Sequence, residues 1–277
     1  MAVCYRHPSR ETNVSCSNCG RPICPDCMTS TSVGMRCPEC AGQRTQVRRV
    51  SFGGLAAGGA PATYVLIAIN VAFFVAELAT GASGFQVGGS VYRHLALFGP
   101  AVEGGDWWRI VTGGFLHAGI FHILLNMVAL YFLGSLLEPG IGTIRFVGVY
   151  AVSLLAGSAG ALLVTPLTPT VGASGAVFGL LSAAFIMARH RGLEQLASQI
   201  AFYLILNLAF TFGVSGISIG AHVGGLIGGA LAALAITYAE RHRSRRTPAL
   251  ELLALTALAA ISVAIALWAA GQPSALI

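Results

Sequence analysis

Long apolar runs separated by short polar segments dominate this chain. Runs of about 17 to 25 apolar residues are long enough to cross a hydrocarbon core, and they fall near 61–79, 111–136, 144–164, 171–188, 197–214, 219–239 and 249–270. The pattern predicts seven spanning helices, the weakest being 171–188 and 197–214. Ahead of them, residues 1–43 carry few apolar side chains, and 44–60 is basic and glycine-rich, as suits a linker. The expected organisation is a small domain (1–43), a linker (44–60), a six-helix core (61–240), then a basic loop with a seventh helix (241–277).

Composition narrows the class. The 277 residues are 55% hydrophobic and 9% charged, and the mean hydropathy is +0.76. A soluble domain uses about 25% charged residues, so the chain reads as an all-α polytopic membrane protein. The opening stretch, MAVCYRHPSR, is polar and cysteine-bearing, so no cleavable secretory signal is expected.

Charge placement sets an expected orientation. All sixteen basic residues are arginine. Arg44, Arg48 and Arg49 precede the first span, Arg145 lies between the second and third, and Arg189 and Arg191 follow the fourth. Arg241, Arg243, Arg245 and Arg246 follow the sixth, whereas the alternate loops carry only Arg93 and Arg109. Positive loops stay inside, which predicts a cytoplasmic amino terminus and, after seven spans, an outside carboxyl terminus. The 241–246 cluster also suits an anionic lipid surface. Arginine without lysine hints at a GC-rich genome, and a multi-pass protein of a bacterial cell membrane is expected, with no nucleic-acid partner.

Seven cysteines and one histidine form four pairs at two-residue spacing: Cys4 with His7, Cys16 with Cys19, Cys24 with Cys27, and Cys37 with Cys40. Eight ligands suit two closed tetrahedral zinc sites with no vacant position for a catalytic water. An odd cysteine count and an expected cytoplasmic location argue against a disulfide framework. Spacing alone leaves open which pairs share an ion. The pattern resembles the B-box zinc modules, and the resemblance implies interleaving: Cys4, His7, Cys24 and Cys27 at one ion, Cys16, Cys19, Cys37 and Cys40 at the other. So small a segment with so few apolar side chains depends on metal to fold.

Polar side chains inside spans are costly and are functional candidates by default. The second span holds His117, His122 and Asn126, the last two sharing a helical face, with His117 about 140° round the same helix. The sixth span holds His222 among two rows of small residues, Gly220, Gly224 and Gly228 beside Ala221, Gly225 and Gly229. Small residues at this spacing admit a second backbone, and Gly175 and Gly179 repeat the device in the fourth span. Ser174 opens that fourth span between glycines, where free amides favour an anion. A serine nucleophile needs a base and oxyanion donors. His222 can supply the first, His122 and Asn126 the second. No Asp or Glu lies in a span near Ser174 or His222, so a dyad is expected rather than a triad. Glu77, near the outer end of the first span, could reach the site but reads first as an interfacial carboxylate, and Glu138 and Arg145 read as structural.

These residues resemble the rhomboid intramembrane serine proteases. The Gly-x-Ser-Gly motif is met by Gly172, Ala173, Ser174 and Gly175, and Ala-His-x-x-Gly-x-x-x-Gly by Ala221, His222, Gly225 and Gly229. His-x4-His-x3-Asn is met by His117, His122 and Asn126, and a Trp-Arg pair by Trp108 and Arg109. The resemblance implies a six-helix core with a water-filled cavity open to the outside. It implies Ser174 as nucleophile, His222 as base, and an oxyanion hole of His122, Asn126 and the Ser174 amide. Phe178 falls where the family places an aromatic ring under the imidazole, often a tyrosine. No cofactor is needed for the chemistry. Transmembrane proteins in the bilayer become the expected substrates, and the zinc module a site for a cytoplasmic partner.

Two other classes of function use parts of this pattern. A non-catalytic membrane chaperone or adaptor on the same scaffold is expected to lose the serine or histidine, and this chain keeps both. A transporter would line a path with His122, Asn126 and His222, but leaves the Gly-x-Ser-Gly match without an explanation.

Overall fold

The computed structural model describes residues 2–31, 34–42, 59–241 and 247–272. Most of the expected linker, and Arg243, Arg245 and Arg246, lie outside the described residues. The chain divides into two compact units, Met1–Gly54 and Leu55–Ile277.

In the first unit, β1 (Ala2–Cys4) pairs antiparallel with β2 (His7–Thr12), and β3 (Thr29–Thr31) with β4 (Gly34–Arg36). A 3-10 turn at Pro25–Cys27 and the short helix α1 (Pro38–Gly42) complete it. Its interior is nearly all sulfur: six cysteines and Ile23 are buried together.

The second unit is helical. α2 (Pro61–Ala79) leads to three short helices, α3 (Gly89–Leu95), α4 (Gly99–Glu103) and α5 (Arg109–Thr112). Then come α6 (Ile120–Ile141), α7 (Thr143–Val164), α8 (Ser174–His190), α9 (Glu194–Gly213), α10 (Ile219–Arg241) and α11 (Thr247–Ala270). Six of these are long and apolar enough to cross a membrane: α2, α6, α7, α9, α10 and α11. The fourth expected span, 171–188, forms α8, which has 17 residues. At 1.5 Å per residue it reaches only about 25 Å, short of a hydrocarbon core of about 30 Å.

One boundary differs in kind from the expected span. The apolar run from 111 does not continue one helix, because a 3-10 turn at Gly113–Phe115 and Gly119, at φ +143°, interrupt it. His117 therefore lies in a loop before α6, and its position around a shared helix does not apply.

Small residues let the helices carrying the site meet backbone to backbone. The two rows on α10 serve different partners. A Cβ on Gly225 would fall 2.0 Å from the Gly175 carbonyl oxygen of α8, while one on Gly224 would fall 2.3 Å from the Ala156 carbonyl oxygen of α7. α10 is thus wedged between α7 and α8.

Charged groups fasten the ends of the bundle. The buried Glu138 carboxylate accepts the Ala62 and Thr63 amides at 3.0 and 2.9 Å and the Thr63 hydroxyl at 2.7 Å. These donors open α2, where Pro61 occupies the first turn and a carboxylate offsets the helix dipole. Arg145 donates to both Glu251 oxygens at 2.7 Å and to Glu240 at 3.1 Å, joining α7, α10 and α11. Both residues are structural, as read from their positions.

Candidate active site

Gly172 sets the approach to α8. Its φ of +131° favours glycine, and a Cβ there would lie 2.7 Å from His122 Cε1. Two requirements, backbone conformation and space for an imidazole, fall on one residue. Ala173 then caps the helix and Ser174 begins it, leaving the first amides without intrahelical acceptors.

α10 brings His222 to that serine. The Ser174 hydroxyl and His222 Nε2 are 2.8 Å apart, although 48 residues separate them in sequence. Phe178, one turn into α8, lies under the imidazole with ring centroids 4.2 Å apart and planes within 21°. The other imidazole nitrogen, Nδ1, sits 2.7 Å from the hydroxyl of Thr211 on α9. Thr211 was not singled out from the sequence. A threonine in a membrane helix commonly bonds its own i−4 carbonyl, and Thr211 does so with Asn207 at 2.8 Å; that ordinary role hides the second contact.

His122 faces the serine loop from α6. Its Nδ1 accepts the Ala118 amide at 3.2 Å, so the neutral ring carries its proton on Nε2, beside Gly172. Asn126 Nδ2 spends one hydrogen on the His122 carbonyl at 2.9 Å and keeps the other. His117 is buried against His122, with ring centroids 5.2 Å apart. Neither His117 ring nitrogen has a partner among the described residues.

Glu77 lies near the C-terminal end of α2, fully buried in the protein, and its carboxylate accepts the His117 backbone amide at 3.0 Å. The contact pins the loop before α6 to α2. Sequence gave no sign of it, since the donor is a main-chain group 40 residues away. Arg109 organises the preceding segment, donating to the Arg93 and Ala96 carbonyls at 2.9 and 3.0 Å and to Asp106 at 2.9 Å. A cavity of about 20 Å³, room for one water, lies between Gly113, Gly157, Gly172 and Gly175.

The first unit holds two clusters of metal-ligand type. Cys4, His7, Cys24 and Cys27 form one, and Cys16, Cys19, Cys37 and Cys40 the other, with ligand atoms of each set within 4.8 Å of one another. None of the seven cysteines forms a disulfide. N–H hydrogens point at the sulfurs: the Cys37 backbone amide on Cys16 Sγ, the Asn18 side-chain amide on Cys40 Sγ and the Arg21 guanidinium Nε–H on Cys19 Sγ, each at 3.3 Å. Such donors favour the thiolate, and the Cys37 amide is the main cause that lowers the Cys16 thiol to about 6.

The Ser174 hydroxyl is thus hydrogen-bonded to a stacked, buried imidazole within a bundle of helices long and apolar enough to cross a membrane. Comparison with known proteins assigns the family. Residues 104–240 match the sequence model of the rhomboid domain. The rhomboid protease GluP of Bacillus subtilis (strain 168) is 36% identical over 203 residues, which cover 70% of this chain and 38% of that protein. YdcA, a rhomboid protein of the same organism, is 38% identical over 135 residues, 47% of this chain and 67% of that protein. Rhomboid-like protease 5 of Toxoplasma gondii is 35% identical over 134 residues, 46% of this chain and 16% of that protein. The chain belongs to the rhomboid family. It spans well under half the length of GluP and of the Toxoplasma relative.

Proposed function

We propose that this protein is an intramembrane serine endopeptidase that hydrolyses peptide bonds in or near the transmembrane segments of other membrane proteins. The observation that carries the reading is the 2.8 Å contact between Ser174 Oγ and His222 Nε2 at the start of the short helix α8. Ser174 Oγ attacks the substrate carbonyl carbon as its proton passes to His222 Nε2. The oxyanion that forms meets the Ser174 amide, the His122 Nε2–H and the free Asn126 amide hydrogen. His222 then protonates the leaving amine, and the C–N bond breaks to give an acyl-enzyme. A water that loses its proton to His222 attacks the ester, and collapse returns that proton to Ser174 and frees the carboxylic acid. Phe178 holds one face of the imidazole, His117 backs His122, and Gly172 and Gly175 give the serine its conformation and its neighbours.

The shortness of α8 supports a reactive serine below the outer surface, in a polar cavity that hydrolysis requires. Arginine placement supports an amino terminus in the cytoplasm, a cavity open to the outside and an outside carboxyl terminus. In reconstituted protein, Ser174→Ala and His222→Ala should each lose at least about 10³-fold in cleavage of a transmembrane test substrate. Labelling by a fluorophosphonate should vanish in Ser174→Ala. Unchanged cleavage in either variant would overturn the mechanism.

For residues 1–43 the reading is a zinc module with two structural ions. Tetrahedral bonds of about 2.3 Å to sulfur and 2.1 Å to nitrogen give ligand edges of about 3.5–3.8 Å. His7 Nδ1 lies 3.9, 3.3 and 3.4 Å from the Cys4, Cys24 and Cys27 sulfurs, and Cys19 lies 3.8 Å from Cys37. Zinc would supply the interior that the apolar side chains do not. Both donor sets are complete, so the module serves recognition rather than chemistry: it engages a cytoplasmic protein or selects substrates. Deleting 1–43 should spare a generic substrate and change cleavage of a native one, whereas loss of all activity would assign it to stability. Residues 44–60 act as linker, 61–240 as the protease core, and 241–277 as a basic loop with a further helix.

A further inference from the structure

His222 has two ring nitrogens, and the proposed chemistry uses one. The other meets a hydroxyl on a different helix. We propose that Thr211 is a positioning residue: its oxygen accepts the His222 Nδ1 hydrogen and holds the base in the tautomer whose Nε2 is free to take the Ser174 proton. The inference rests on the serine-protease reading and adds to it a third member that carries no charge.

Hydrogen counting supports the direction of the bond. A hydroxyl has one hydrogen and two lone pairs. The Thr211 hydrogen is directed at the Asn207 carbonyl, 2.8 Å away, which leaves lone pairs for His222 Nδ1 at 2.7 Å. Nδ1 is then the protonated nitrogen, and Nε2 offers its lone pair to the Ser174 hydroxyl at 2.8 Å. Every donor in the Ser174–His222–Thr211–Asn207 chain finds an acceptor. With the tautomer reversed, Nε2–H would point at Ser174 Oγ and could not accept its proton.

Geometry supports the positioning role. Phe178 stacks on the imidazole face, a contact that permits the ring to rotate in its own plane. Two in-plane hydrogen bonds from opposite nitrogens remove that freedom, one to Ser174 and one to Thr211. Thr211 is 2% exposed, so water does not compete for its oxygen. It is also the last buried residue of α9, a helix that otherwise buries only Ala197 and Ile200. Alignment of the base therefore depends on where the outer end of α9 sits. A displacement of that end by about 1 Å would stretch the bond beyond hydrogen-bond range.

A neutral oxygen orients an imidazolium without neutralising it, so its removal should cost less than the roughly 10⁴-fold associated with a carboxylate third member. The comparison to make is wild type, Thr211→Val, Thr211→Ser and Ser174→Ala in proteoliposomes. Readouts are kcat and KM on a transmembrane test substrate, and the rate of fluorophosphonate labelling. Thr211→Val should lower kcat and the labelling rate about tenfold with KM unchanged, in line with one lost neutral hydrogen bond. Thr211→Ser should recover most of that loss. Wild-type rates in Thr211→Val, or equal losses in both variants, would overturn the proposal. The nitrogen-15 shifts of His222 in the wild-type protein give an answer that needs no variant to fold. A protonated Nδ1 with a bare Nε2 supports the assignment, and the reverse overturns it. If instead Ser174→Ala labels as fast as wild type, the protease reading fails, and the shifts still judge the Thr211 bond.

Discussion

Gly229 of α10 and Gly179 of α8 pack main chain against main chain: a Cβ on Gly229 would lie 2.1 Å from the Gly179 carbonyl oxygen. One turn earlier, Gly225 stands in the same relation to Gly175, the neighbour of Ser174. The distance from nucleophile to base is therefore set by how closely two backbones approach.

Gly229→Ala should push the helices apart, because the atoms it meets belong to backbone and cannot rotate away. A loss of roughly 1–3 kcal/mol is expected, with lower activity, read from the unfolding midpoint in detergent and from cleavage rate. Gly213→Ala is the control: nothing lies within 4 Å of its Cβ position, so its midpoint should stay at the wild-type value. Equal behaviour of the two variants would contradict the close-packing account.

The stack beneath the base can be tested separately. Phe178→Leu should slow cleavage about two- to tenfold, the worth of an aromatic pair beyond its area, while Phe178→Tyr should stay near wild type. Kinetics on a single transmembrane substrate decide this, and a leucine variant at full rate would show the ring to be mere packing.

Glu138 concerns stability rather than chemistry. Glu138→Ala removes a buried acceptor from the Ala62 and Thr63 amides and from the Thr63 and Thr143 hydroxyls. A cost of about 2 kcal/mol or more is expected from stranded buried donors, with Glu138→Gln less affected. Thermal unfolding measures it, and an unchanged midpoint would mean that water replaces the carboxylate.

Metal content tests the two clusters. Wild type should bind two zinc ions per chain, Cys24→Ser one, and the Cys24→Ser/Cys37→Ser pair none, because each serine lies in a different ligand set. Elemental analysis reads the count. A strong chelator should make residues 1–43 sensitive to protease; resistance of that segment after full metal removal would refute a metal-dependent fold.

Much of this protein was legible without coordinates, wherever the signal was local. Apolar run length marked the six helices long enough to cross a membrane, though not the shortness of α8 or the break before α6, and two-residue spacing marked the ligand pairs, since each is a property of adjacent residues. The Gly-x-Ser-Gly and Ala-His motifs pointed to Ser174 and His222 for the same reason. Tertiary structure decided what depends on residues remote in sequence. It placed Thr211 at the second imidazole nitrogen, buried Glu77 against the His117 amide, and gave one small-residue row of α10 to α7 and the other to α8. It also brought Cys4 and His7 to Cys24 and Cys27, a choice that spacing left open. Sequence periodicity reports which face of an element is apolar or small, but a hydrogen bond or a backbone contact between helices is fixed only when both partners arrive.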